Sequence, residues 1–144
     1  MSAEKFCLIA AGLFFMCGLL TGVWKYLCIM ASSEGAAPTY VDIAHRTGLM
    51  YAFACMLMRE FVPYSPLSPD HTLVLVAVPI FFFASAVFTY ITHGVLRDTD
   101  NQLRRPFRLG HAHLSPVIIW VYMTVLIVAE VGGFAVLLVG ALRS

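Results

Sequence analysis

The sequence predicts an all-α integral membrane protein, a bundle of four spanning helices in one domain, and three observations predict it. The chain is 60% hydrophobic and only 12% charged over 144 residues, with a mean hydropathy of +0.86, far above a soluble domain of this size. Its apolar residues gather into four runs, each close to the roughly 20 residues that cross a bilayer as helix. The stretches between these runs are short and collect most of the proline, serine and charge. The expected spans are about 6–30, 40–62, 71–96 and 114–142, within a single transmembrane domain covering residues 1–144.

The first span follows Met1 to Lys5, and this opening resembles a signal peptide. However, the apolar run is long, no small-residue cleavage site follows, and Trp24-Lys25-Tyr26 closes it as an interfacial belt would, so a retained helix is expected. Gly18 and Gly22 stand four apart, a spacing that lets another helix approach closely. The second span opens with Asp42 in its first turn, where the helix dipole favours a carboxylate, and ends near Arg59 and Glu60. Pro63, Pro66 and Pro69 then impose a turn. In the third span, Phe81-Phe82-Phe83 reads as packing or lipid contact, and the last turns, Thr89 to Gly94, become polar. A hydrophilic loop from Arg97 to His113 leads to the fourth span, which carries one acid, Glu130, near its middle.

Several function classes are excluded. A net charge of +1 with no dense basic stripe argues against nucleic acid as a partner. The four cysteines, Cys7, Cys17, Cys28 and Cys55, sit within or at the ends of apolar runs without the Cys-x-x-Cys spacing of zinc or redox sites, and read as small hydrophobes. Lys25, Arg46, Arg97, Arg104, Arg105 and Arg108 fall on one side of the membrane, and Lys5, Arg59 and Arg143 on the other. The positive-inside rule then places the 31–41 and 97–113 loops in the cytoplasm and both termini outside, in a multi-pass protein.

Chemistry is expected at the mouth of the second span, where His45, Arg46 and Tyr51 lie close together in sequence. Ionisable groups at that depth are costly and mark ligand sites or interfaces, although His45 and Arg46 also fit the role of snorkelling anchors. A buried haem needs a neutral imidazole, apolar walls and cations near its propionates. His45 offers the first, the Phe- and Met-rich helices the second, and Arg46 with the Arg97 to Arg108 loop the third. The absence of Cys-x-x-Cys-His means that such a haem is held non-covalently.

His93 is open to two roles, as a second axial ligand or as a cation at a helix C-terminus. By depth alone, His45, Tyr90 and His93 are expected around one pocket, with Tyr51 and Tyr122 deeper. His111 and His113, with Asp98 and Asp100, form only a weak metal pattern in the loop, since i and i+2 do not share a helical face. Glu130 reads as a proton acceptor or as an anchor for a neighbouring helix or subunit. The charged 97–106 segment reads as a cap over the pocket or as a basic anchor on acidic lipid.

These residues resemble those of small bacterial membrane isomerases, the styrene oxide isomerases and hydroxylaminobenzene mutases. The likeness rests on four spans in a chain of this size, on Gly18-Leu19-Leu20-Thr21-Gly22, on Ala44-His45 with Gly48, on Tyr90, and on Asn101-Gln102 in the following loop. The resemblance implies a homotrimer in the lipid bilayer with haem b between subunits, its ferric iron ligated by His45. It further implies Lewis-acid opening of a small apolar epoxide to an aldehyde. Tyr90 would orient the substrate oxygen, with Tyr51 and Asn101 as further catalytic candidates and Arg46 and Arg97 beside the cofactor. Those enzymes carry an asparagine where this chain has Tyr51, a difference that bears on the substrate rather than on the cofactor. Two other functions are weighed beside this one: a bis-histidine electron carrier or quinone-linked cytochrome subunit using His45 and His93, and a non-catalytic membrane scaffold.

Overall fold

A computed structural model describes all residues, 1–144, and shows four long helices joined by short connections. These are α1 (Ala3–Ala31), α2 (Thr39–Phe61), α3 (Pro69–Leu96) and α4 (Pro116–Arg143), with a single 3-10 turn at Val62–Tyr64 after α2. The Ser2 side chain accepts the Lys5 N–H at the start of α1, and the Ser115 hydroxyl accepts the Val117 N–H at the start of α4. Pro69 and Pro116 open their helices instead of ending the preceding turns, because a first-turn residue has no use for an N–H donor.

The fourth helix therefore starts two residues later than the apolar run suggests. Leu114 is diverted by its N–H, which donates to the Phe107 carbonyl, and Ser115 is extended. The 97–113 loop also contains a feature not expected from its sequence. A two-residue antiparallel ladder pairs β1 (Arg108–Leu109) with β2 (Ala112–His113), and Gly110 turns between them at a φ of 59°.

The tightest packing in the bundle is between α1 and α2, which run antiparallel. A side chain at Gly48 would meet the Gly18 backbone at 3.0 Å, and one at Gly22 would strike the His45 ring at 2.8 Å. The Gly18–Gly22 spacing is thus used inside the chain, to bring α2 onto α1. On the far side of α2, Tyr51 stacks on Phe83 of α3 at 4.2 Å, with the edge of Phe14 5.8 Å away. The buried core continues through Cys7, Ala52, Cys55, Val76, Ile80 and Leu137. Pro79, inside α3, cannot bond the Leu75 carbonyl, and Gly133 of α4 packs against both groups.

Three helices, α1, α3 and α4, are long and apolar enough to cross a membrane. Phe15, Phe81, Phe88, Trp120 and Val128 are more than half exposed on their outer faces, a surface suited to lipid. The chain is accordingly a multi-pass membrane protein. The second helix has 23 residues, roughly 34 Å at about 1.5 Å per residue. It differs from the others in carrying Asp42, His45, Arg46, Arg59 and Glu60.

The glycine seam leads to a paired expectation. Gly48→Ala should lower the melting stability of the purified protein by about 1–3 kcal/mol, because backbone cannot yield to the added methyl group. Gly12→Ala, where nothing lies within 4 Å, should be neutral or stabilising by under about 1 kcal/mol. Equal responses in thermal melts would show that the seam is not close-packed.

Candidate functional site

A cavity of about 360 Å³ lies between α3 and α4 beneath the 97–113 loop. Phe88, Ile118, Ile119, Met123 and Leu126 form apolar walls, and Tyr51 reaches in from α2. Tyr122 also lines it, with its hydroxyl held 2.6 Å from that of Ser85. Polar groups gather at the loop end, where Tyr90, His93, Gln102 and Arg108 meet.

That polar end is built by the way α3 stops. Arg97 takes the left-handed conformation, with φ of 50°, and its N–H donates to the His93 carbonyl. The reversal carries Asp98 back beside the last turn, where His93 Nδ1 lies 2.7 Å from Asp98 Oδ1. The other Asp98 oxygen accepts the Gly110 N–H, which ties the hairpin to the helix end. Burial alone would raise the Asp98 pKa. The hydrogen bonds from His93 and Gly110 and the attraction of the His93 ring outweigh burial and hold the carboxyl below its ordinary range.

The α2 N-terminus closes the polar end from the other side. Tyr40 packs against the His93 ring with centroids 5.0 Å apart and stacks on Tyr90 at 5.9 Å. Its hydroxyl accepts the Gln102 N–H, which fixes the loop over the cavity. His93 is 3% exposed. The Gln102 side-chain oxygen is buried with no hydrogen-bond partner, as is one carboxyl oxygen of Glu130.

The expected shared pocket is divided in two. His45 is half-buried and turned toward α1, where its Nδ1 lies 2.8 Å from the Gly18 carbonyl and its ring rests over Gly22. It does not line the cavity, whereas Tyr51, Tyr90 and His93 do. The reason is helical phase: residues six apart on a helix of about 3.6 residues per turn differ by about 120° in direction, so depth alone cannot bring His45 and Tyr51 to one side.

The other candidates fall into several places. Arg46 is exposed and pairs at 2.9 Å with Asp42, which also holds Lys25. Arg97 lines a smaller polar pocket of about 260 Å³ on the other side of His93, with Asp98 and Asp100. Asn101 is exposed and spends its side-chain oxygen on the Leu103 N–H, so it shapes the turn and leaves the cavity to its neighbour Gln102. His111 and His113 are exposed in the hairpin. No three His, Cys, Asp or Glu side chains come together as ligands for a bare metal ion.

Sequence reasoning passed over Tyr40, and it met Asp98 only as part of a weak metal pattern, Gln102 only beside Asn101 and Arg108 only as one end of a cationic loop. A polar side chain just past a helix-end histidine was the one available signal, and it pointed to Asp98 only if the helix ended in a left-handed residue. No family model, no curated protein and no solved structure matches this chain.

Asp98→Asn should lower stability by about 1–3 kcal/mol at neutral pH, through loss of a charged hydrogen-bond pair. Because the folded-state pKa is depressed, this contribution is present above the unfolded carboxylate value of about 4 and fades as pH falls through the lower folded value. Thermal melts of parent and variant should therefore converge in acid, and a gap independent of pH would count against an ionised Asp98 carboxylate.

Proposed function

We propose that the protein is a haem-b-dependent membrane isomerase acting on a small apolar, oxygen-bearing substrate, of the epoxide-to-aldehyde type. The observation that carries the proposal is the hydrogen bond from His45 to the Gly18 carbonyl at 2.8 Å. Donation from Nδ1 fixes the tautomer and leaves the Nε2 lone pair for a metal, the arrangement that metal-bound histidines have. Gly22 leaves room for the ring. The imidazole would thus be free to hold the iron of a haem, and Arg46 and Arg97 are the cations that would neutralise its propionates.

His45 lines neither the α3–α4 cavity nor the polar pocket beside it, so this reading places the group between copies of the chain, in a homotrimer where a neighbouring subunit completes the walls. In the same reading α2 is the fourth span, both termini are outside a bacterial inner membrane, and the 31–41 and 97–113 loops are cytoplasmic. When bound, the haem supplies a Lewis-acid iron for a substrate oxygen. The rest falls to the chain. Tyr90 and Tyr51 line a cavity that His45 of the same chain does not, so in this reading the trimer brings that cavity against a neighbouring subunit's haem, where the two hydroxyls would orient the substrate oxygen and the Ile119 and Leu126 walls would exclude water.

An absorption spectrum of protein purified after expression with ample haem precursor tests this. A Soret band is expected, lost in His45→Ala and kept in His93→Ala; a colourless parent ends the proposal. Tyr90→Phe should cut kcat/KM on an aryl epoxide by about a hundredfold with the Soret band intact. Loss of haem in that variant would give Tyr90 a structural role instead.

A further inference from the structure

We infer that the α3–α4 cavity binds a small apolar molecule bearing a hydroxyl group, and that His93 Nε2 accepts the hydrogen bond from that hydroxyl. The direction of the ring follows from its partner. Asp98 holds Nδ1 and lines the polar pocket on one side of His93, but it does not line the apolar cavity on the other. The two nitrogens of an imidazole point in widely different directions, so Nε2 is turned toward the cavity.

Asp98 accepts from both His93 and Gly110, and a carboxylate so placed keeps the imidazole proton on Nδ1. Nε2 is then an acceptor. It makes no hydrogen bond within the chain, and it is not one of the fully enclosed polar atoms, so it keeps access to a partner even though the residue as a whole is 3% exposed. Gln102, at the same end, holds a second acceptor with no partner, enclosed in the wall so that its amide must turn to present it to a ligand.

Two acceptors at one end of a cavity call for a ligand that donates. The Tyr51 and Tyr90 hydroxyls, which bond to nothing within the chain, can donate in return. A ligand hydroxyl does both and an ether or hydrocarbon does not, while a carboxylate, although Arg108 lines the same end, offers Nε2 no proton and brings negative charge toward Asp98. The volume of about 360 Å³ suits a molecule of one or two rings. The exposed Phe88 and Leu103 at the rim put the entrance on the lipid side.

The site shares Tyr51 and Tyr90 with the proposed isomerase but needs no haem. Colourless protein that binds the probe therefore defeats only the haem proposal, and haem-loaded protein that ignores the probe defeats only this one. The probe is 1-naphthol, titrated by fluorescence into the full-length protein in detergent against protein-free detergent. Saturable binding is expected, about tenfold tighter than that of 1-methoxynaphthalene, with 1-naphthoate no tighter than the ether.

His93→Phe should abolish the preference for naphthol over its methyl ether, an outcome that a merely structural role would not produce. Ile119→Trp, which fills the cavity without touching His93, should weaken both ligands. The inference is overturned if naphthol and its ether bind alike to the parent, if naphthoate binds tightest, if His93→Phe keeps the preference, or if Ile119→Trp leaves naphthol binding unchanged.

Discussion

The backbone contact between Gly18 and Gly48 is the constraint on which the remaining geometry depends. Because neither residue has a side chain, α2 lies directly on α1, and the face of α2 turned toward that seam is set. His45 then comes within reach of the Gly18 carbonyl, and Tyr51 is delivered to Phe83 on the opposite side. A larger residue at either glycine would push the helices apart, and both the imidazole and the tyrosine would lose their partners together.

From that seam two chemically different environments arise on the two sides of α2. Toward α1, a single imidazole sits among glycines with one nitrogen committed to backbone. Toward α3 and α4, aromatic rings and hydroxyls surround an apolar cavity whose polar end is made by a helix terminus. The link between the sides is Tyr40, which opens α2, packs against His93 and Tyr90, and receives the Gln102 N–H. A shift of the α2 N-terminus would therefore be felt in the loop that roofs the cavity.

The end of α3 shows how a short loop can become a rigid part of a site. A left-handed residue without glycine, Arg97, is held in place because the reversal gives Asp98 two buried hydrogen bonds and gives Gly110 a partner for its N–H. Such conformations outside glycine persist where their surroundings over-determine them. The charged 97–113 stretch is thus neither a plain solvated turn nor wholly a cap. Asp98 and Gln102 turn inward to the site and Arg108, though exposed, lines the cavity, while Asn101, Arg104 and Arg105 remain outside.

The sequence by itself determined how many helices there are and nearly where they end, because run length, proline and capping serine act locally. It also determined that polar and titratable groups pool at one end of the bundle, since position along a helix is a matter of counting residues. Tertiary structure alone decided direction around each axis. Helices apolar on nearly every side carry no stripe to show which face meets a neighbour, so nothing in the spacing told that His45 would turn to α1 and Tyr51 to α3. It also decided the choice of Gln102 over Asn101 and the capture of His93 by Asp98. Those depend on a two-residue ladder and a left-handed cap, which form only once distant helices hold the loop at both ends.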